Sequence, residues 1–151
     1  MEIKIKRLSE DAILPKKATN GAVGYDLYTP KDTLIPAGER VLIPLDIAIQ
    51  LPHGFEFKIE SRSGFAVKGI EGKDGHRYDA QVLTGKIDSD HTGNVGIIIK
   101  SFDKENFTIP KGTRIAQGSI YYTHPEMEFV EVDKLDETKR GSGGFGSTGT
   151  K

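Results

Sequence analysis

Short apolar runs alternate with turns bearing proline and glycine along most of this chain, and that spacing leaves little room for helix. Glu2-Ile-Lys-Ile-Lys6 alternates polar and apolar residues, as a half-buried strand does. The stretch from Val41 to Ile49 is apolar and β-branched, and Phe55-Glu-Phe-Lys-Ile59 alternates again. Val95-Gly-Ile-Ile-Ile99 reads as a buried strand, and Arg114 to Tyr122 and Glu128 to Val132 as further strands. Turn signals separate them: Pro36-Ala-Gly38, Leu51-Pro-His-Gly54, His91-Thr-Gly-Asn94 and Ile109-Pro-Lys-Gly112. Ile-Pro-x-Gly occurs twice, each time ahead of a strand, which is repeated turn chemistry rather than a sequence repeat. The pattern predicts an all-β, antiparallel sandwich or barrel. One short helix is expected, Ser63-Gly-Phe-Ala-Val-Lys68, with a Ser near its start to cap the first turn. The polar stretch from Glu71 to Asp79 reads as an exposed loop or hairpin tip. Residues 133–140 lack apolar periodicity beyond Leu135. The expected organisation is therefore a β domain over 1–132, then a linker and flexible tail over 133–151.

At 151 residues and 36% hydrophobic, the chain fits one domain with a modest core. A formal net charge of −1 offers no basic footprint, so long nucleic acid is not an expected partner. A phosphate ligand would need local cations or a metal ion. The absence of Cys removes disulfides and thiolate zinc sites. No apolar run reaches spanning length, and the first residues lack a signal-peptide core. These features predict a cytoplasmic protein without a membrane partner.

Five segments carry candidate chemistry. Arg140-Gly-Ser-Gly-Gly-Phe-Gly-Ser-Thr-Gly-Thr-Lys151 combines exposed peptide N–H groups, hydroxyls and a guanidinium, which suit phosphate oxygens, with one aromatic ring, which suits a flat base. The alternative is an inert Gly/Ser tail. Gly85-Lys-Ile-Asp-Ser-Asp-His-Thr-Gly93 carries two carboxylates two apart. If extended, Asp88 and Asp90 share a face and one can act as a general base; otherwise they are turn residues. Glu60-Ser-Arg-Ser-Gly64 offers a planar guanidinium and a hydroxyl beside the helix start, a phosphate-holding combination or an ordinary helix entry. Arg114, Gln117 and Asp26 brace loops or face a ligand. The four His residues show no metal-ligand spacing, and P-loop, H-E-x-x-H and Rossmann patterns are absent.

Taken in order, five segments resemble the motifs of the trimeric deoxyuridine triphosphatase (dUTPase) family. They are Ala22-Val-Gly-Tyr-Asp-Leu-Tyr28, Ser61-Arg-Ser-Gly-Phe-Ala66, Gly85-Lys-Ile-Asp-Ser-Asp-His-Thr-Gly93, Gly112-Thr-Arg-Ile-Ala-Gln117 and Arg140-Gly-Ser-Gly-Gly-Phe-Gly-Ser-Thr-Gly149. The resemblance implies a jelly-roll-like distorted β-barrel of the β-clip type, assembled as a homotrimer with active sites shared between subunits. It implies Mg²⁺-dependent hydrolysis of dUTP to dUMP and pyrophosphate, which limits uracil incorporation into DNA and supplies dUMP for thymidylate synthesis. By motif, Asp88 would activate the attacking water. Arg62, Ser63 and Gly64 would contact phosphates with Gln117 beside them, and Asp26 would help place hydrated Mg²⁺. Val82, Gly85, Lys86, Ile87, Asp88, His91 and Gly96 would hold deoxyribose and uracil. Phe145 would stack on uracil while Arg140, Gly146, Ser147 and Thr148 close over the phosphates.

Several positions depart from the family pattern. His91 stands where Tyr is usual, which leaves the exclusion of UTP open. Val82 replaces an Asn common in bacterial members, so uracil recognition leans on main chain or Gln81. Glu60 replaces Pro and Thr113 replaces Asp, which bears on local bracing. The stretch from Glu71 to Asp79 is longer than typical and is a candidate surface for a regulatory partner. The alternatives on this fold are a nucleotide-sensing regulator and a deoxycytidine triphosphate deaminase-like enzyme.

Overall fold

The structure, a computed structural model, describes residues 2–144. Its elements follow as β1 (Lys4–Arg7), β2 (Tyr25–Tyr28), β3 (Thr33–Ile35), β4 (Arg40–Gln50), β5 (Phe55–Glu60), α1 (Ser63–Lys68), β6 (Ile70–Glu71), β7 (Arg77–Tyr78), β8 (Ala80–Leu83), β9 (Gly85–Ile87), β10 (Asn94–Ser101), β11 (Phe107–Ile109) and β12 (Arg114–Tyr122). Two four-stranded sheets carry the architecture, in the orders β1-β4-β10-β8 and β2-β12-β5-β9. Pairs β11-β3 and β6-β7 complete the set, and every named pairing is antiparallel. The all-β expectation holds with its one helix, although among the described residues the sheets stay open and close no barrel.

Alternation decides the core. On β10, Val95, Ile97, Ile99 and Ser101 are buried while Ile98 stays exposed, so the apolar run there buries one face rather than two. Leu27, Ile43, Leu45, Ile47, Ile59 and Ile115 pack with them, nearly fully buried. These β-branched and γ-branched side chains suit a pleated, covered surface. No buried side-chain nitrogen or oxygen among the described residues lacks a hydrogen-bond partner. Both Ile-Pro-x-Gly segments form the expected turns. The Glu39 N–H donates to Pro36 O and the Thr113 N–H to Pro110 O, each at 3.3 Å, around Gly38 (φ 69°) and Gly112 (φ 78°). A glycine in the third position of such a turn supplies the positive φ that other residues resist.

Three expectations are corrected. Ser63 does not cap α1: Arg62 occupies the cap position in extended conformation, without a side-chain cap bond. The first strand is not half-buried within this chain; all four residues of β1 are exposed because β1 is an edge strand, paired only with β4. Residues 128–132 form no strand. They follow β12 as extended, exposed chain, with Phe129 fully exposed and Val130 78% exposed. A strand needs a ladder partner, and none of the described strands pairs with this stretch.

The polar stretch 71–79 proves to be a hairpin bound firmly to its own domain. Tyr78 stacks on Phe107 with ring centroids 4.3 Å apart, and its hydroxyl donates to Asp74 Oδ2 at 2.6 Å. That bond pushes the phenol up to about 12 and holds the Asp74 carboxyl below the usual carboxylate range. Lys73 N–H donates to Thr108 O at 2.7 Å, and its ammonium pairs with Asp32.

At the centre of the second sheet, Gly118 allows the Phe57 ring of β5 to lie against β12. A Cβ there would sit 2.0 Å from Phe57 Cζ, which no small rotation relieves. Gly118→Ala is expected to lower stability by about 1–3 kcal/mol through overpacking, read as a shifted denaturant midpoint at unchanged slope.

Candidate active site

The ends of β2, β5 and β12 converge on a cleft of about 510 Å³. Its lining includes Asp26, Arg62, Ser63, Gly64, Lys68 and Gln117. The register explains the convergence. Gln117 lies opposite Asp26 on one side and opposite Glu60 on the other, so one position of β12 brings the first, second and fourth motifs together. The carboxylate of Asp26, 12% exposed, accepts from Arg62 Nε at 3.1 Å and from Arg114 Nη1 at 3.4 Å. Arg62 Nη1 also donates to Arg114 O at 3.2 Å. Gln117 Nε2 donates to Ser61 O at 3.2 Å, which pins the segment before the helix. The guanidinium of Arg62 is thus held in place with its remaining donor capacity toward the cleft, a preorganised site for an anion.

The departures at Glu60 and Thr113 leave the bracing intact. Glu60 pairs with Lys58 at 2.8 Å and raises that ammonium's pKa. Thr113 Oγ1 donates to Pro110 O at 2.7 Å, and the Thr113 N–H donates to the buried hydroxyl of Thr29 at 3.1 Å.

The third motif lies elsewhere. Strand β9 runs antiparallel to β5, with Gly85 opposite Ile59 and Ile87 opposite Phe57. The chain therefore carries Asp88 away from Arg62. At about 3.3 Å per residue along β5, the two groups are separated by on the order of 15 Å or more. Asp88 is exposed, and a turn follows it, closed by the His91 N–H donating to Asp88 O at 3.1 Å. The turn reading of Asp88 and Asp90 is the one observed, not an extended face. Lys86 is engaged with Glu56 at 2.8 Å, and Gly96 sits on β10 opposite Pro44. The Val82 side chain is buried in the core, and Val82 pairs with Ile99, which leaves only main-chain atoms for any ligand.

A sequence profile of the dUTPase family matches residues 10–149. The chain belongs to the dUTPase family. It is 45% identical over 152 residues to the mitochondrial deoxyuridine 5'-triphosphate nucleotidohydrolase of Homo sapiens, with 99% of this chain and 55% of that one covered. It therefore spans about half the length of the human relative. To the deoxyuridine 5'-triphosphate nucleotidohydrolase of Nautilia profundicola it is 39% identical, with 99% of both chains covered. Among solved structures, the dUTPase of Staphylococcus bacteriophage 80alpha with dUPNHPP superposes at a TM-score of 0.86, 27% identity and 98% coverage of each chain.

Set beside that family, the cleft gathers Asp26, Arg62, Ser63, Gly64 and Gln117, and the hairpin after β8 gathers Gly85, Lys86, Ile87, Asp88 and His91. The fold does not join the two groups within one chain. Arg140 is exposed, donates from Nε to Gly143 O at 2.8 Å and does not line the cleft. Phe145, Gly146, Ser147 and Thr148 lie outside the described residues. Lys68 and Arg77 line the cleft and were missed in the sequence. Lys68 ends a helix whose length was readable, but Arg77 needed the hairpin to fold back.

Among the described residues no three His, Cys, Asp or Glu side chains group as a metal site. A fully protein-ligated Mg²⁺ does not fit this cleft. One carboxylate, Asp26, lines the cleft, and with its oxygens engaged by Arg62 and Arg114 it fits only a Mg²⁺ held mainly by substrate phosphates and water, which is how this ion is commonly bound. No helix of the described residues is long and apolar enough to cross a membrane.

Proposed function

We propose that this chain is a dUTP diphosphatase that cleaves dUTP to dUMP and pyrophosphate in sites shared by three copies. The observation that carries this reading is the division of the site along β5. The phosphate-suited groups stand at one end, and Asp88 stands toward the other. Each half is built but incomplete, and a neighbouring copy supplies the missing one. Shared sites of this kind follow from closed rotational symmetry with a repeated interface. The chain has surfaces to match. The arm 127–132 carries exposed Met127, Phe129, Val130 and Val132. An apolar groove of about 380 Å³, lined by Ile3, Ile5, Ile49, Leu51 and Phe55, flanks the open edge of β1. An exposed apolar arm and an apolar groove beside an open strand edge are complementary.

In this mechanism Arg62, Ser63, Gly64 and Gln117 orient the triphosphate. Asp88 of an adjacent copy accepts a proton from the water aimed at the α-phosphorus, and His91 packs beside the sugar. Asp26 would hold a hydrated Mg²⁺, whose charge offsets that of the phosphates when it is bound. Uracil meets main-chain groups of the 82–88 segment, because Val82 has no polar side chain to offer. The tail, residues 140–151, orders over the nucleotide and excludes water. Fixing it costs roughly 1–2 kcal/mol per residue, so contacts along the whole triphosphate must supply the closure. Neither the deaminase nor the regulatory alternative gains support from any residue in the cleft.

The direct test is product analysis with dUTP, UTP, dTTP and dCTP in Mg²⁺, together with a native mass. Pyrophosphate from dUTP and a trimer mass are expected; ammonia from dCTP, or a monomer that leaves dUTP intact, contradicts the reading.

Asp88→Asn should bind dUTP normally and lose about 10²–10⁴-fold in turnover. Arg62→Ala should fail through weakened phosphate contacts. Co-expressed, the two inactive variants should regain activity, since about a quarter of randomly mixed sites recover both groups. Absence of recovery in mixed trimers would show that each site uses one chain.

Removal of residues 140–151 should leave the trimer and its thermal unfolding intact while collapsing kcat/KM for dUTP. Full activity in that shortened chain would exclude the tail from the reaction.

A further inference from the structure

The hairpin β6-β7 lies between the second and third motifs, and the fold turns it back against the end of α1. Arg77 on β7 thereby enters the lining of the same cleft as Arg62, Ser63 and Gln117. Its Nη1 donates to Gly69 O at 3.2 Å, and its Nη2 meets Glu71 Oε2 at 2.9 Å. Gly69 is the residue that ends α1, through a 2.9 Å bond to Phe65 O. The guanidinium is thus fixed at the far end of the helix from Arg62. Cleft-lining charges number three cations, Arg62, Lys68 and Arg77, against one carboxylate, Asp26. Arg62 is paired with that carboxylate, whereas Arg77 pairs with Glu71, which stands outside the lining, so Lys68 and Arg77 are the lining cations with no carboxylate partner on it.

The scaffold under Arg77 is rigid. The Tyr78 ring next to it stacks on Phe107, and the tip is tied through Lys73 to Thr108 and Asp32. Arg77 itself remains 42% exposed, and its partner Glu71 is 53% exposed. Exposed ion pairs of this kind are weak, so a phosphate oxygen competes for the guanidinium at little cost. A fork of N–H donors suits two phosphate oxygens at once. Bracing the hairpin needs only the bonds to Glu71 and Gly69; it does not require the side chain to border a cationic cleft.

We infer that Arg77 is a substrate-binding residue that holds the phosphates leaving as pyrophosphate. The inference rests on the dUTP diphosphatase reading of the cleft. The terminal phosphates are assigned because the α-phosphorus must lie with the water of Asp88, at the nucleoside end of the substrate. Arg62 and Arg77 stand at opposite ends of α1 on one cleft lining, so a phosphate chain that passes Arg62 meets Arg77 as the next guanidinium on that lining. Glu71 then acts as a resting partner that releases Arg77 when nucleotide enters.

The test is steady-state kinetics of the full chain with dUTP and Mg²⁺, paired with calorimetric binding of dUMP, which lacks the two terminal phosphates. Arg77→Met keeps the volume and removes the charge. It should raise KM for dUTP about tenfold with kcat changed less than about twofold, the signature of lost uniform binding. The affinity for dUMP should stay unchanged, and Arg77→Lys should recover most of the loss. Glu71→Gln should lower KM by about two- to threefold by freeing the guanidinium. An unchanged KM in Arg77→Met, or equal weakening of dUMP and dUTP, would overturn the inference and leave Arg77 a hairpin brace. A wild-type chain that does not cleave dUTP would instead remove the reading of the cleft.

Discussion

Strand β5 and its two antiparallel neighbours set where the phosphate-suited residues and Asp88 can stand. On one side, β12 puts Gln117 opposite Glu60; on the other, β9 puts Ile87 opposite Phe57. The first pairing draws the phosphate-suited residues together at the strand's exit. The second sends Asp88 toward the strand's entrance. Side-chain period and ladder register are coupled in a sheet, so neither can move without flipping every neighbour to the other face. The contact of Gly118 with the Phe57 ring locks this register at its centre.

The cleft's electrostatics depend on that geometry. Asp26 is mostly buried, and a buried carboxylate needs partners. It has two, Arg62 and Arg114. The same contacts hold the guanidinium of Arg62 ready for an anion before any arrives. Little reorganisation is then left for binding, which is where positioned charge is most effective in phosphoryl transfer. The carboxylate also limits the metal chemistry, since one ligand can assist a hydrated ion but cannot cage one.

The exposed arm and the groove beside β1 bear on the same division. An isolated chain would leave Phe129 and Val130 in water and the edge of β1 unpaired. Exposed edges invite pairing with another chain. Assembly would therefore cover apolar surface and complete the site in one step. Stability and catalysis would then depend on the same contacts.

Much of this was legible in the sequence. Period-two alternation, apolar runs and the Ile-Pro-x-Gly turns marked β1, β4, β5, β10 and β12, because strand faces and turn torsions are local properties; the short strands β2, β3, β6, β7, β8, β9 and β11 were set by pairing instead. The extent of β12 and of α1 could be read from residues alone, and the ordered motifs named the family. Local rules failed where burial or pairing was decided at a distance. The alternation in residues 2–6 did not reveal that β1 is an edge strand, and the pattern in 128–132 did not reveal that no described strand pairs with it. Ser63 had the right chemistry for a cap, but the path entering α1 put Arg62 there. Val82 offered a base no polar side chain from the outset, and packing then buried that side chain. The arrival of Arg77 in the cleft, and the separation of Asp88 from Arg62, were decided by tertiary structure alone. Both follow from how strands pair and fold back, and pairing joins residues far apart in sequence through backbone bonds that carry no residue-specific signature.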